Sequence, residues 1–404
     1  MYAVYLIFAS MIFVTAQARY VMYLTGQHPE PPADVALVAG ITHVALAFMS
    51  SRSFNQVSID ATSEAAEVKW PFFTTVNRTR TQFQKGTKVL IAIGGWGDDE
   101  GFEVAARTEE GQELWASNVA RMVTDTGADG VDIDWEYPGG NGEHYLQPNH
   151  TNPTKAWQTT AYPKLLSTLR KHLGPSKLIT AAVPGLPRDM LAFTSTTIPI
   201  ILPSIDFFNI MTYDLMNRRD SQTLHHAGVQ ASLTSINAYL SAGVPASKLN
   251  VGFAFYVKYF RTDASPAGRK KCLDAWNINS GIGCPTGIME DPKTGGDLGK
   301  TGGFSWHDGI PSEVSESFKA AKTSGKWDAE RGGYGYWDEK ENLWWTWENE
   351  KAIVEKVERV VKAKGIEGAF AWGLGEDGDE FEHLQTLNKA YNGLQAGRHA
   401  RNEL

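Results

Sequence analysis

The chain has 404 residues, and its 38 basic and 46 acidic side chains leave a formal net charge of −8. This length predicts two domains or one large α/β domain with an insertion, and a 42% hydrophobic content is enough to bury a sizeable core. The chain lacks the dense Lys/Arg stripe that nucleic acids or anionic membrane surfaces require. Its 13 Trp, 14 Tyr and 18 Phe residues suit either core packing or contact with the apolar faces of sugar rings.

The first element is an uncharged apolar segment at the N-terminus. Residues 3–16 are nearly all apolar, and Ala16-Gln17-Ala18 has the small-residue pattern of a signal-peptidase site. The run is shorter than the ~20 residues that span a bilayer, so a signal peptide over residues 1–18 is favoured over a membrane anchor, although no Lys or Arg precedes it. We therefore expect a secreted, extracellular protein that has no membrane association after the signal is removed.

Other features bear on the same question of compartment. Asn77 and Asn149 begin N-glycan acceptor sequons. The two cysteines, Cys272 and Cys284, lie twelve residues apart, as in one small disulfide loop. The terminal Arg401–Leu404 loosely resembles a retrieval signal of the endoplasmic reticulum, which is a weaker alternative to secretion.

Short β-branched or aromatic runs alternate with helical patterns along the remaining chain. Several of these runs are apolar on both faces, as strands of a covered parallel sheet must be. The eight predicted strands are Tyr20–Thr25, Thr42–Phe48, Lys88–Ile93, Gly130–Asp134, Leu178–Val183, Phe207–Thr212, Leu249–Phe255 and Gly368–Trp372. Helices are expected at Glu110–Thr126, Pro163–Leu173, Gln230–Ala242 and Glu350–Lys364, the last between an N-cap type residue, Asn349, and a C′ glycine, Gly365.

Eight strand–helix units predict an α/β fold, a (β/α)8 TIM barrel. A doubly wound sheet is the competing fold, but residues 23–29 lack its glycine-rich phosphate-binding fingerprint. About a hundred residues separate the last two strands, and residues 258–344 are expected to form a small inserted α+β domain. The barrel would then comprise residues 19–257 and 345–395, followed by a C-terminal tail at 396–404. The Trp-rich segment Leu343–Glu348 is either a sugar platform or a packing surface.

The most informative motif is Asp-Gly-Val-Asp-Ile-Asp-Trp-Glu-Tyr-Pro at residues 129–138. Side chains alternate along a strand, so Asp132, Asp134 and Glu136 share one face and climb to the C-terminal mouth of a barrel, where active sites lie. Like charges this close cannot all ionise, which raises at least one pKa and leaves an acid able to protonate a leaving oxygen. A solvated edge strand and a divalent-metal site are the alternatives, and acid catalysis is favoured over both.

Here the chain resembles the family 18 glycoside hydrolases, whose best-known members are chitinases. Their fingerprint D-x-x-D-x-D-x-E is complete at residues 129–136. Gly95 and Trp96 stand in a segment that looks like the end of the family's third strand, and residues 211–214 are similar to its M-x-Y-D motif. Ala371-Trp372-Gly373 takes the place of its eighth-strand Trp, and the insertion after the seventh strand matches one subgroup of the family.

The resemblance implies substrate-assisted retaining hydrolysis, for which this family is a known exception to the two-carboxylate pattern. Glu136 would protonate the glycosidic oxygen, and the substrate's 2-acetamido carbonyl would attack the anomeric carbon. Asp134 would orient the acetamido N–H, Tyr213 would hold the carbonyl oxygen, and Asp132 would share a proton with Asp134. Asp129 has the wrong parity to join that face and is interpreted as structural.

The substrate-binding candidates are residues expected at the ends of several barrel strands. Trp372 would form the floor beneath the sugar at the cleavage point, and Met211 would line the pocket beside Tyr213. Asp214 would bond a sugar hydroxyl or the acid itself. Tyr23 and Phe48 would be either pocket wall or core. Many relatives have Tyr-Gly-Arg after the seventh strand where this chain has Phe-Tyr-Val-Lys at residues 255–258, which puts substrate contacts there in doubt.

The resemblance favours a secreted, monomeric chitinase that acts on chitin or chitooligosaccharides and needs no metal or organic cofactor. The cysteines and histidines are too few and too scattered for a structural zinc site. An endo-β-N-acetylglucosaminidase that acts on N-glycans shares the fingerprint and is the first alternative. The second is a chitin-binding, lectin-like protein, although such members typically lose the acid that Glu136 supplies here.

Overall fold

The computed structural model describes residues 18–56, 70 and 72–402, with side chains as far as residue 396. The expected signal peptide lies outside the described residues except for Ala18, and so do Glu403 and Leu404. Among the helices in this described part of the chain, none has the length and apolar character needed to cross a bilayer.

The described strands fall into two separate sheets. They are β1 (Arg19–Thr25), β2 (His43–Met49), β3 (Lys88–Gly94), β4 (Gly130–Asp134), β5 (Leu178–Val183), β6 (Phe207–Ile210), β7 (Leu249–Ala254), β8 (Tyr256–Arg261), β9 (Thr301–Ser305), β10 (Lys326–Asp328), β11 (Gly333–Asp338), β12 (Leu343–Trp347) and β13 (Gly368–Trp372).

Eight of these strands close a barrel in the order β1-β13-β7-β6-β5-β4-β3-β2, and each neighbouring pair is parallel. The predicted (β/α)8 TIM barrel is therefore confirmed, and the doubly wound alternative is wrong. All eight predicted strands are present, with ends within two residues of the expected ones. Because the barrel is covered by helices outside and filled by side chains inside, several of its strands are apolar on both faces, whereas β4 directs Asp132 and Asp134 inward.

The helices surround the barrel or cover the second sheet. They are α1 (Val35–Val38), α2 (Val76–Gln82), α3 (Glu100–Ala106), α4 (Glu109–Thr126), α5 (Asn152–Lys155), α6 (Gln158–Leu173), α7 (Ile198–Ile201), α8 (Val229–Ser241), α9 (Pro266–Asn279), α10 (Ser315–Ser324), α11 (Glu350–Lys356) and α12 (Glu382–Asn402).

Two helix predictions need correction. Helix α6 begins at Gln158, not at Pro163, so this proline lies inside the helix, where it has no N–H to donate. The helix expected at Glu350–Lys364 changes at Val357 into a π-helical segment that ends at Lys362. Its cap is as predicted, because the Asn349 side chain accepts a hydrogen bond from the Ala352 N–H at 3.0 Å. The segment expected as a tail after residue 395 continues α12 as far as Asn402.

The second sheet is antiparallel, with the strand order β10-β11-β12-β8-β9. Its strands run from Tyr256 to Trp347, which extends a few residues beyond the expected 258–344 at each end. A Cys272–Cys284 disulfide joins α9 to the loop that follows it. The tryptophans of β12 are buried, with Trp344 and Trp345 fully enclosed, so this strand is the packing core of the sheet and not a sugar platform.

Candidate active site

Strand β4 places the acidic motif as its alternation predicts. Val131 and Ile133 pack into the hydrophobic core outside the barrel, and Trp135 stacks on Phe102 with ring centroids 5.2 Å apart. The intervening Asp132 and Asp134 therefore face the barrel interior, where both are at most 3% exposed. Glu136 follows directly after the strand, at the C-terminal mouth, and is partly exposed.

Asp129, interpreted as structural from its parity, lies at the opposite end of this strand. Its carboxylate accepts hydrogen bonds from Arg80 at 2.7 Å, from Lys88 at 3.2 Å and from the Val89 N–H at 2.9 Å. These contacts join β4 to β3 and to α2, far from the barrel mouth. Asp129 thus links β4 to its neighbouring elements and does not reach the cavity.

The Asp132 carboxylate is surrounded by donors from three other barrel strands. The Tyr23 hydroxyl donates to it at 2.6 Å, the Asn209 amide donates at 3.3 Å, and the Thr180 hydroxyl also donates to it. Asn209 is itself fixed, because Asn250 donates to its side-chain oxygen at 2.8 Å. Burial raises the pKa of Asp132, whereas these three hydrogen bonds oppose that rise.

Asp134 and Glu136, which lie above Asp132 toward the barrel mouth, have raised pKa values. Burial raises the pKa of Asp134 well above its usual range, and the neighbouring charges of Glu136 and Asp132 raise it further. Asp134 Oδ1 is buried and has no hydrogen-bond partner among the described residues. Burial, followed by the charges of Asp214 and Asp99, raises the pKa of Glu136 to about 8. Glu136 therefore holds its proton near neutral pH, as a general acid must.

A cavity of about 540 Å³ opens above these acids at the barrel mouth. Its size is typical of a site for a small organic ligand. Every candidate site residue from the sequence except Asp132 lines this cavity. The lining candidates are Tyr23, Phe48, Gly95, Trp96, Asp134, Glu136, Met211, Tyr213, Asp214 and Trp372.

The cavity has an aromatic wall centred on Trp372. This side chain is only partly buried, and its ring stacks on Phe48 with centroids 5.5 Å apart and an interplanar angle of 21°. Tyr23 also packs against the indole, with ring centroids 5.5 Å apart and an interplanar angle of 48°. Tyr23 thus belongs both to the cavity wall and to the hydrogen bonds of Asp132, a combination that the sequence did not predict.

The turn after β3 requires glycine for two reasons. Gly94 and Gly95 have φ values of +110° and +95°, which favour glycine. A Cβ on Gly95 would also lie 2.7 Å from the Phe48 ring, and one on Gly94 would lie 2.2 Å from the Asp134 carbonyl oxygen. The turn presents Trp96 at the rim of the cavity, 46% exposed and edge-on to Tyr137.

Strand β6 supplies the opposite wall. Met211 and Tyr213 are each 8% exposed and face the cavity just beyond the end of the strand. Asp214 was expected to bond a sugar hydroxyl or the acid. In the structure its Oδ1 accepts a hydrogen bond from the Tyr256 hydroxyl at 2.9 Å and pairs with Lys258 Nζ at 3.0 Å, and its role toward a sugar stays a prediction.

The partners of Asp214 also control its charge. Burial would raise the pKa of this carboxyl, but Lys258 and the nearby His226 hold it well below its usual range. Because the side chain remains 47% exposed, the charged carboxylate is open to the cavity. Asp214 is therefore an anion close enough to Glu136 to raise the pKa of that acid.

Sequence analysis did not place Tyr256, Lys258 or Asn209 in the site. Asn209 has the same parity on β6 as Met211, and this signal could have located it inside the barrel. Tyr256 and Lys258 come from β8, the first strand of the second sheet, and they stand where the expected arginine is missing. No local pattern shows that this strand returns over the barrel mouth.

Comparison with known proteins agrees with this geometry. The model of the family described as glycosyl hydrolases family 18 matches residues 19–377. The chain belongs to glycosyl hydrolase family 18.

Several curated proteins with chitinase names are similar to the chain at modest identity. Chitotriosidase-1 of Mus musculus is 24% identical over 359 residues, which cover 84% of this chain and 68% of that protein. Endochitinase 1 of Metarhizium robertsii is 24% identical over 313 residues, which cover 72% of this chain and 62% of that protein. The match to the probable endochitinase of Caenorhabditis elegans is 25% over 314 residues and spans 44% of that longer protein.

Solved family 18 structures show the same fold. A chitinase of Rhizomucor miehei superposes with a TM-score of 0.68 at 19% identity, covering 92% of this chain and 100% of the other. Catalytic domain 2 of the Group II chitinase of Ostrinia furnacalis has a TM-score of 0.68 at 21% identity, covering 93% and 97%. At such identities these likenesses concern the fold and not the substrate.

Proposed function

We propose that this chain is a secreted chitinase that hydrolyses β-1,4-linked N-acetylglucosamine in chitin and chitooligosaccharides, with retention of configuration and with the substrate's acetamido group as nucleophile. The observation that carries the proposal is the buried acceptor Asp134 Oδ1. It lies at a cavity beside Glu136 and Tyr213 and has no hydrogen-bond partner among the residues that the structure describes. A buried acceptor left unpaired costs about 1–3 kcal/mol, and a ligand N–H would relieve that cost.

Glu136 is the general acid in this mechanism. Its raised pKa keeps it protonated near neutral pH, and its place above β4 lets it donate that proton to the glycosidic oxygen as the bond breaks. The bond pair leaves with the oxygen of the departing sugar. The electron-poor anomeric carbon then needs a nucleophile from the opposite face.

Asp134 and Tyr213 would position that nucleophile. With Asp134 accepting from the acetamido N–H and the Tyr213 hydroxyl donating to the carbonyl oxygen, the oxygen is held in line with the anomeric carbon. Such orientation converts a weak neutral nucleophile into an effective one. The ring that forms is an oxazolinium ion, and water opens it after Glu136, now a base, removes a proton. Two inversions at one carbon give a product of retained configuration.

Trp372 supplies the apolar floor under the sugar that is cleaved. Its indole contacts Phe48 and Tyr23, which fix its position, and its partly exposed surface is open to a pyranose ring in the cavity. Trp96 at the rim presents a second exposed ring next to Tyr137. These surfaces support recognition of a chain of sugars.

The known relatives support this choice of substrate. The curated relatives compared above are named as chitinases or as a chitotriosidase. A solved family 18 chitinase of Cycas revoluta, at 20% identity, is in complex with (GlcNAc)3. We extend the substrate class of these proteins to this chain.

The decisive experiment compares the wild type with Glu136→Gln on chitin oligomers and on a high-mannose glycopeptide. Glu110→Gln, on the exposed surface of α4, is the matched control. We expect release of reducing ends from the oligomers alone, an activity loss of about 10²–10⁴-fold or more in the Glu136 variant, and wild-type activity in the control. Cleavage of the glycopeptide alone would identify an endo-β-N-acetylglucosaminidase, and oligomer binding without cleavage of either substrate would identify a lectin.

The stereochemistry tests the nucleophile separately. Proton NMR of a fresh digest should show the β-anomer first, and fully deacetylated polymer should be spared because an amine cannot form the oxazolinium ring. Initial appearance of the α-anomer would mean direct attack by water. That result would refute the acetamido mechanism while leaving the chitinase activity intact.

We also propose that the protein is secreted and that it is a monomer. Cleavage after Ala18 would deliver a monomer to the cell exterior. N-terminal sequencing of protein from the culture medium should therefore begin at Arg19, and light scattering should give the mass of one chain. A retained N-terminus or a dimer mass would contradict these two parts of the proposal.

A further inference from the structure

A histidine and two carboxylates meet at a junction of the barrel with the second sheet. His28 follows β1, Glu376 lies just after β13, and Asp308 follows β9 of the second sheet. The Nε2 atom of His28 is 3.3 Å from Asp308 Oδ1 and 3.3 Å from Glu376 Oε2. All three potential ligand atoms lie within 4.8 Å of one another. We call these three residues the junction cluster, and none of them lines the catalytic cavity.

Two carboxylates face His28, whereas the other histidine–carboxylate pairs of the described residues each involve one carboxylate, at 2.6 to 3.8 Å. His383 and Asp377 are 2.6 Å apart, and His172 and Glu113 are also 2.6 Å apart, which are hydrogen-bond lengths. His28 Nε2 is 3.3 Å from each of two carboxylate oxygens, which is longer than these two hydrogen bonds. Zinc ligands at about 2.0–2.2 Å with tetrahedral angles stand about 3.4 Å from one another, close to the separations found here.

The surroundings of Glu376 are those of a metal-ligating carboxylate. Its side chain is only 8% exposed, and its Oε1 accepts a hydrogen bond from the Thr25 hydroxyl at 3.0 Å. Thr25 also accepts from the His28 backbone N–H at 3.2 Å, so one hydroxyl orients the segments that carry two of the ligands. Hydrogen-bonded ligands of this kind are the usual support of a metal site.

Charge gives a second reason for a cation at this position. The carboxylates of Asp308 and Glu376 both face the His28 imidazole, and two carboxylates this close repel one another. A divalent ion would neutralise that repulsion. The Asp308 side chain is 48% exposed, so an ion can arrive from solvent and keep a water molecule as its fourth ligand.

We propose that His28, Asp308 and Glu376 bind one zinc ion that ties the second sheet to the barrel. One imidazole and two carboxylates suit zinc better than the hard cations magnesium and calcium, which prefer oxygen alone. The site goes beyond the proposed hydrolysis and does not depend on it. It also departs from the expectation of no metal, because ligands at positions 28, 308 and 376 form no local motif.

A second group of similar composition, Asp377, Glu382 and His383, does not have the same capacity. Both ring nitrogens of His383 are already engaged, Nδ1 with Asp377 at 2.6 Å and Nε2 with the Glu348 carbonyl oxygen at 3.0 Å. Asp377 also accepts from the Leu384 N–H at 2.8 Å at the start of α12. This group is a helix anchor, so one zinc site per chain is expected.

The test is zinc binding by the full chain after treatment with a chelator. Isothermal titration with zinc chloride and elemental analysis after dialysis should show one equivalent. Zinc at 100-fold excess over its Kd should raise Tm by about 3 °C or more. Asp308→Asn and His28→Gln should each lose the equivalent and the Tm shift. His172→Gln, which removes a paired histidine elsewhere, should retain both.

Circular dichroism in the absence of metal shows whether each variant is folded, and Asp308, half exposed, is the ligand least needed for folding. Absence of zinc binding by the wild type would overturn the proposal. So would an equivalent that survives both substitutions, since the ion would then lie elsewhere. A pH-dependent change in Tm without any zinc dependence would assign the junction cluster to a simple ion pair, which also overturns it.

Discussion

If Glu136 is the general acid, as proposed, its pKa determines the pH range in which the enzyme works. Burial and the nearby charges of Asp214 and Asp99 raise the pKa of Glu136 to about 8. At pH 7 such a group is protonated in roughly 90% of molecules, whereas an acid at the ordinary pKa of 4.5 would be protonated in less than about 1%. The protein environment thus supplies about a 300-fold gain in the active form.

We therefore expect kcat/KM on a soluble chitooligosaccharide to fall on the alkaline side with a midpoint near pH 8. This quantity reports the ionisation of the free enzyme, so it should be measured from pH 4 to pH 10 with Glu136→Gln as the inactive baseline. Asp214→Asn removes an anion that holds the proton on Glu136, so the midpoint should move to lower pH in that variant.

The position of the midpoint is informative even if Asp214→Asn also lowers the maximum rate. A wild-type midpoint near pH 5 would mean that burial does not hold the proton on Glu136, and the electrostatic account of the site would be wrong. An alkaline midpoint that is the same in Asp214→Asn would remove Asp214 from that account but retain burial as the cause.

Three further predictions concern Tyr213, the buried ion pair of Lys356 with Glu348, and the disulfide. Tyr213→Phe should lower kcat more than it raises KM, because the hydrogen bond from the Tyr213 hydroxyl strengthens as the acetamido carbonyl oxygen approaches the anomeric carbon. Oligomer binding is measured with Tyr213→Phe added to the inactive Glu136→Gln variant. A loss of binding as large as the loss of kcat/KM would contradict this role. Lys356→Met should reduce the free energy of unfolding by about 3–5 kcal/mol in urea denaturation, because it strands Glu348. That carboxylate is 1% exposed and lies 2.9 Å from Lys356 Nζ. A loss of unfolding free energy below about 1 kcal/mol in Lys356→Met, or no regain of stability in the double variant Lys356→Met/Glu348→Leu, would show that the pair is not desolvated. Thiol titration of denatured, unreduced protein should find no free thiol, since Cys272 and Cys284 are bonded and close a loop worth about 3 kcal/mol; two free thiols would exclude the bridge.

The barrel was predictable because its strands carry a strong local signal. A strand covered on both faces is mostly apolar, and eight largely apolar runs with helices between them leave few alternative folds. The boundary of α6 was missed because proline usually stands in the first turn of a helix, whereas α6 begins at Gln158, five residues before Pro163. Local propensity is a weak guide when tertiary contacts are strong.

The acidic face of β4 was predictable for an equally local reason. Alternation along one strand assigns Asp132, Asp134 and Glu136 to one face without knowledge of anything around them. The donors that surround Asp132 come from β1, β5 and β6, and their convergence depends on the register of a closed barrel. The sequence expectation that Asp132 shares its proton with Asp134 did not anticipate these donors.

The sequence by itself determined the fold class, from eight recurring strand–helix units, and the acidic face of β4, from alternation within one strand. The aromatic residues around the cavity were expected from the resemblance to family 18. The tertiary structure decided how those groups are charged. Lys258 reaches Asp214 from the second sheet, the tryptophans of β12 turn inward to pack, and His28 meets Asp308 and Glu376 across two sheets. These contacts join residues that are tens to hundreds of positions apart. Only the closing of the barrel and the return of the second sheet across its mouth bring them within a few ångströms.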